Sequence, residues 1–379
     1  MSGLLRVEGH TAERQALAAA VAEQRLPNSL LLHGPAGIGK QRVALWLAQL
    51  LVCERPTPDG PCDVCHPCRL ALRLEHPDLH WFFPLVRPKG STDRLIEALE
   101  EARGAELELR RARPLRPTLP HGMVGIFLAQ VQALLRIAST RPAMGSRKVF
   151  VVGDAELLVP QEASPEAANA LLKLLEEPAA DTTLILTASE PDLLLPTIRS
   201  RLLPVRLRPL PVTDAARFLE QHADVESASA HRAATLAAGS IGRALGFLPE
   251  QGAPGALDEI RLRGRELLAA ALDRSAVPRL QAANRESPAA ARGGFSDGLQ
   301  ALTLWLRDLA AVAGGAEDVV INTDALDWLR SAARQLPDAG GVPRAIAAVD
   351  ECLQLTQINI NPQLATASLL RRLRLELLG

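Results

Sequence analysis

Gly34-Pro35-Ala36-Gly37-Ile38-Gly39-Lys40 is a glycine-rich loop ending in lysine, and Gln41 follows it. The phosphate-binding pattern G-x-x-x-x-G-K-[ST] is met at every fixed position except the last. Glycines let backbone N–H groups close on phosphate oxygens, and the lysine neutralises their charge. A Ser or Thr hydroxyl after the lysine would hold Mg²⁺. Gln41 has none, so the sequence predicts a nucleotide cradle with reduced or absent catalytic power. ATP or ADP would rest there on the loop and Lys40 alone.

A second constellation is Cys53, Cys62, Cys65 and Cys68, spaced C-x8-C-x2-C-x2-C. Zinc takes four ligands in a tetrahedron, and thiolates in tight turns supply them. Gly60-Pro61 and Pro67 bend the chain around these cysteines. Four thiolates leave no open coordination position, so the expected Zn²⁺ is structural. His66 as a substitute ligand, and four reduced cysteines without metal, are the disfavoured alternatives. Cys352 stands alone and reads as a core residue.

Both constellations need elements to position them. Ser29–His33 is an apolar run leading into the loop, and Arg42–Val52 reads as the helix after it. Thr11–Gln24 reads as a helix with Thr11 as N-cap. His76–Pro84 reads as a second strand. Residues 86–120 form a polar insertion with a charged helical segment near Asp93–Arg113. Its basic run, Arg110, Arg111 and Arg113, reads as a solvated face. Ile126–Ser139 is helical, Lys148–Val152 is a buried strand, and Gly153-Asp154-Ala155-Glu156 follows it. Pro165–Glu177 is a helix ended by Pro178, and Thr182–Thr187 is another strand. This alternation predicts an α/β fold with a mostly parallel sheet.

Pro209-Leu210-Pro211 marks a boundary, and short helices follow to Phe247. After a linker at 249–255 the pattern is helical throughout, ending in the amphipathic stretch Asn361–Leu378. The expected domains are therefore 1–208, 209–250 and 256–379.

At 379 residues and 47% apolar composition the chain can bury several cores. Its formal net charge of −1 gives no global field for nucleic acid, and 3% aromatics with no Tyr make base-stacking platforms scarce. The N-terminus has no basic region followed by an apolar run, and no stretch is long enough to span a membrane. A cytoplasmic protein is expected.

The loop, the cysteine spacing after its helix, Asn169-Ala170-Leu171-Leu172-Lys173-Leu174-Leu175-Glu176-Glu177-Pro178 and Thr197-Ile198-Arg199-Ser200-Arg201 together resemble one family. They are similar to the AAA+ subunits of the bacterial DNA polymerase III clamp loader. The resemblance covers roughly residues 1–250. It implies an AAA+ P-loop sheet with a zinc module, a small helical lid and an all-α collar domain. It also implies nucleotide-side positions at Gly34 to Gln41, Asp154 and Arg243, the last as a sensor arginine in Gly239-Ser240-Ile241-Gly242-Arg243. Thr187 and Ser189 flank a further phosphate-sensing position.

The departures choose between two branches of that family. An active tau/gamma ATPase would carry Ser or Thr at 41 and an Asp-Glu pair where this chain has Gly153-Asp154. Two independent losses on the metal side, with Arg201 retained, resemble the delta-prime branch. The resemblance implies an arginine finger at Arg201 that acts in a neighbour's ATP site. It implies little or no ATPase of its own, within a DNA-directed DNA polymerase holoenzyme whose nucleotidyltransferase belongs to another subunit. The implied partners are tau/gamma and delta subunits, with the sliding clamp and primer-template DNA met through the complex. An active tau/gamma-type ATPase is the alternative. A zinc-dependent nucleic-acid module over 53–68 is disfavoured, since few basic residues besides Arg55 and Arg69 lie there.

Overall fold

The computed structural model describes residues 4–87, 95–115, 124–158, 166–179, 181–250, 252–286, 294–338, 340–356 and 360–379. It divides into two compact units, Met1–Leu245 and Gly246–Gly379. The chain order is α1 (Thr11–Ala22), β1 (Ser29–His33), α2 (Lys40–Val52), α3 (His66–Leu72), β2 (Leu79–Phe82), β3 (Leu85–Val86), α4 (Leu95–Ala112), β4 (Val124–Gly125), α5 (Leu128–Ala138) and β5 (Lys148–Val152). It continues through α6 (Glu166–Glu176), β6 (Thr182–Ala188), α7 (Pro196–Arg199), β7 (Leu203–Arg206), α8 (Val212–His222), α9 (Ser227–Leu236) and α10 (Ile241–Phe247). Then come α11 (Ala256–Leu272), α12 (Val277–Asn284), α13 (Gly294–Ala313), α14 (Leu326–Ala333), α15 (Gly341–Leu355) and α16 (Pro362–Leu378).

The main sheet has the order β2-β5-β6-β1-β7, and every neighbouring pair is parallel. A parallel sheet is covered on both faces, so its strands read as continuous apolar runs. Alternate side chains enter different cores. Leu30, Leu32, Val149, Val151 and Ile185 join one core with residues of α1 and α2. Leu31, Phe150, Val152, Leu184 and Leu186 join the other with residues of α5 and α6. β7, one of the two edge strands, is largely exposed, which is where Pro204 is tolerated.

The second unit is all helical and packs α11, α13, α15 and α16 around Trp305, whose indole donates to Arg261 O at 2.8 Å. Leu369, Leu370, Leu373 and Leu377 form the buried stripe of α16.

Several elements differ from the sequence reading for identifiable reasons. Thr11 is the first helical residue, and the N-cap is His10, at φ 51° with no side-chain cap bond. The strand expected over His76–Pro84 is only Leu79–Phe82, because a turn precedes it. There the Asp78 carboxylate accepts from Ala143 N, Met144 N and Gly145 N at 2.6, 2.8 and 3.0 Å. The helix expected from Pro165 is described from Glu166 onwards, and Pro165 lies outside the described residues. So do 88–94 and 116–120 of the insertion. The reading of Arg110 as a solvated cation is corrected. Its guanidinium lies 3.8 Å from the Phe83 ring centroid and 4.5 Å from that of Trp81, and it pairs with Glu106 at 2.9 Å. Arg111 pairs with Glu75 at 2.8 Å.

Candidate functional site

β1 delivers the chain to the glycine-rich loop at its C-terminal end, and α2 starts at Lys40. Gly34 has φ 151°, and a Cβ there would lie 2.3 Å from Leu207 O. Gly37 has φ 75°, with Ser240 Oγ and Arg243 N at 2.7 and 2.8 Å from the site of a Cβ. Both positions thus exclude side chains for reasons of conformation and of space.

The loop's carbonyls are engaged by the protein itself. Ser240 Oγ donates to Ala36 O at 2.9 Å, and Gly242 N donates to Gly37 O at 2.8 Å. His10 Nε2 lies 2.8 Å from Ile38 O. A cavity of about 160 Å³ lies beside the loop, lined by Val7, Gly37, Ile38, Phe218, Ile241 and Leu245 among others. Arg243 is exposed next to Gly37.

Lys40 is 5% exposed and donates to Pro35 O and Ser189 Oγ, both at 2.9 Å. Burial lowers its pKa, and the charges of Asp154 and Glu156 oppose that shift. Burial likewise raises the pKa of Asp154 and of Glu156. Asp154 sits at φ 49°, its N–H donating to Thr187 Oγ1 at 3.0 Å. Ser189 N donates to Glu156 Oε1 at 2.7 Å. Thr187 and Ser189 therefore already have protein partners.

Gln41 follows Lys40 in the first turn of α2. Its amide Nε2 donates to Asp154 Oδ2 at 2.9 Å, and its Oε1 accepts from Trp81 Nε1 at 3.1 Å. A Cβ at Gly153 would lie 2.5 Å from Gln41 Cδ and Oε1. The departures at 41 and 153 are thus one packing arrangement, and reading them as independent is corrected.

Arg201 belongs to a different part of the sheet's rim. It lies two residues beyond α7, after Ser200, and donates from Nη2 to Glu176 Oε1 at 2.7 Å and from Nη1 to Thr197 O at 2.8 Å. These are its side-chain hydrogen bonds among the described residues, and none goes to the loop.

The four cysteines converge. Their Sγ atoms all lie within 4.8 Å of one another, with Cys53–Cys65 and Cys62–Cys68 at 4.0 Å. Tetrahedral zinc with Zn–S bonds of about 2.3 Å requires sulfurs about 3.8 Å apart, so the donor set fits that ion. Cys62 N and Cys65 N point at Cys53 Sγ and Cys62 Sγ, both at 3.4 Å. The Cys62 thiol is pulled down to about 6 by the backbone N–H groups of Val64 and Cys65, while burial pushes those of Cys53 and Cys68 up. The module is fastened to α2. Trp46 packs on Gly60, and Gln49 Nε2 donates to Asp63 Oδ1 at 2.9 Å.

Sequence reasoning gave no role to His10, Trp81, Glu176 or Ser240. Glu176 and Ser240 stood inside quoted motifs, and Glu176 left a further trace as one of two carboxylates at a helix C-terminus, where the dipole disfavours them.

Comparison with known proteins adds the lineage. Residues 9–211 match the family described as DNA polymerase III, delta subunit. The chain is 37% identical to DNA polymerase III subunit delta' of Pseudomonas aeruginosa over 175 residues, which is 46% of this chain and 41% of that protein. It is 30% identical to subunit delta' of Escherichia coli over 218 residues, 58% of this chain and 53% of that one. A gamma/tau subunit of Mycobacterium bovis is 31% identical over 209 residues, 54% of this chain and 29% of that one. The matched stretch spans about half the length of the delta' relatives. No helix among the described residues is long and apolar enough to cross a membrane. With its phosphate-loop sheet, its cysteine module and these relatives, the chain belongs to the family described as DNA polymerase III, delta subunit.

Proposed function

We propose that this chain serves its clamp loader as a stator. It hydrolyses little or no ATP itself and supplies Arg201 to the ATP site of a neighbouring subunit. The Gln41 amide, held between Trp81 and Asp154, carries this reading. It stands where a hydroxyl and a carboxylate would otherwise organise Mg²⁺, and its oxygen is already accepting a hydrogen bond. Lys40 is equally engaged, so a phosphate would have to displace Ser189 and Pro35 O. Nucleotide, if admitted to the cavity beside Ile241, would bind through Gly34, Pro35, Ala36, Gly37, Ile38, Gly39, Lys40 and Arg243 without a metal ligand from this chain.

The partners in this reading are tau/gamma and delta subunits, and the sliding clamp and primed DNA are met through the assembly. A finger of this kind contributes about 10³–10⁵ in rate in other NTPases. Cys53, Cys62, Cys65 and Cys68 would hold a zinc ion that stiffens the module on α2 and takes no part in nucleotide chemistry.

The test is equilibrium nucleotide binding and ATP turnover by the purified chain, with and without Mg²⁺. It is paired with Arg201→Ala in the assembled complex. No turnover by the chain and a large loss in the complex is the expected result. Robust Mg²⁺-dependent turnover that Lys40→Ala abolishes would install the tau/gamma-type motor in its place.

A further inference from the structure

Arg201 does not hang free, and its contacts are unusually well founded for a residue on the rim. The backbone on either side is anchored, because Ile198 is 0% exposed and Leu202 is 6% exposed in the same core. Glu176 is anchored the same way. It directly follows Leu175, 5% exposed in that core, and is the last residue of α6. Two fixed main-chain points therefore face each other, and the Arg201–Glu176 ion pair joins their side chains at 2.7 Å. Thr197 O takes a second guanidinium N–H.

We infer that Glu176 is a positioning residue for Arg201, holding its guanidinium in the orientation in which it meets a phosphate on the neighbouring subunit. This rests on the finger reading of Arg201 given above. A guanidinium carries five N–H donors in a rigid plane. Bonds to Glu176 and Thr197 fix that plane and leave the remaining donors for a ligand. An unfixed arginine side chain would lose its rotamer freedom on each engagement, and an ion pair already made removes part of that loss. The same contact answers why a carboxylate sits at the C-terminal end of α6, where the helix dipole opposes it. The Arg201 charge offsets that repulsion.

The pairing is half exposed, with side-chain exposures of 36% and 49%, so it does not lock the finger away. A phosphate carries more charge than a carboxylate and can share the same guanidinium.

The experiment is steady-state ATP hydrolysis by the assembled clamp loader carrying Glu176→Ala, Glu176→Gln or Arg201→Ala in this chain. Thermal unfolding of each purified chain is measured alongside. Glu176→Ala is expected to lower kcat about 3- to 10-fold with KM for ATP changed less than about twofold. Glu176→Gln keeps an oxygen for Arg201 Nη2 and is expected to recover most of that loss. The melting temperature should not move, because the pair is exposed. A merely structural role would move stability without this kcat split or rescue. If Arg201→Ala lowers kcat and Glu176→Ala does not, the positioning role is overturned and the finger stands. A rise in kcat with Glu176→Ala would make Glu176 a restraint and also overturn it. If Arg201→Ala has no effect, both readings fall.

Discussion

The Gln41 side-chain amide fills the volume that any side chain at Gly153 would need, with 2.5 Å separating Gln41 Oε1 from a Cβ there. Gln41 and Gly153 therefore act as one arrangement in physical terms. The amide occupies the space, and glycine is the residue that grants it.

This coupling is measurable. Gly153→Ala should destabilise the chain by about 1–3 kcal/mol, because the amide must leave Trp81 and Asp154 or the strand must shift. The same change in a Gln41→Ser background should cost less, with a coupling energy of about 0.5–3 kcal/mol in a double-mutant cycle. Urea unfolding of the four chains decides it, and strictly additive effects would refute the shared volume.

Metal removal should act on structure and leave nucleotide chemistry alone. The chain is expected to hold one zinc, and Co²⁺ in its place should give the visible bands of a tetrahedral thiolate site. Chelation or Cys68→Ser should lower the melting temperature, since binding energy at such sites is folding energy. A metal content of zero in protein purified without chelator would contradict the fit of the cysteines to zinc.

Asp78 makes a pH prediction. Burial would raise its carboxyl, but the N–H groups of Ala143, Gly145 and Met144 outweigh it and hold the group below the ordinary carboxylate range. A depressed folded pKa contributes stability above the unfolded value of about 3.9, and that stability is lost as pH falls through the folded value. Asp78→Asn should therefore destabilise the chain at pH 7 and narrow its gap to wild type as the acid limb is reached. Urea midpoints measured from pH 7 down to pH 3 test this, and a constant gap would refute it.

Arg110 should behave as a packing residue. Arg110→Ala removes its stack on Phe83 and Trp81 and is expected to cost about 1–2 kcal/mol. Arg113→Ala, at an exposed position, should stay within about 0.5 kcal/mol. Equal effects would return the whole run to the solvent.

What the sequence disclosed follows from how local each signal is. Leu30-Leu31-Leu32, the glycines and Lys40 are contiguous, so strand, loop and helix were legible together. The cysteines lie close in the chain and converge in space. Trp81 meets Gln41 across forty residues, with no periodicity to announce it. His10 reaches Ile38 from before the first helix, and Ser240 reaches Ala36 from the far end of the first unit. β7 escaped because a short, exposed edge strand containing Pro204 carries little apolar pattern. α3, with seven residues, is too short for helical spacing to show.

The bonds from Ser240 and Gly242 to the loop carbonyls have one more consequence. Two hydrogen bonds of the chain's own tie the start of α10 to the loop that follows β1. The angle between β1 and α10 is therefore written into the polypeptide and needs no ligand to hold it.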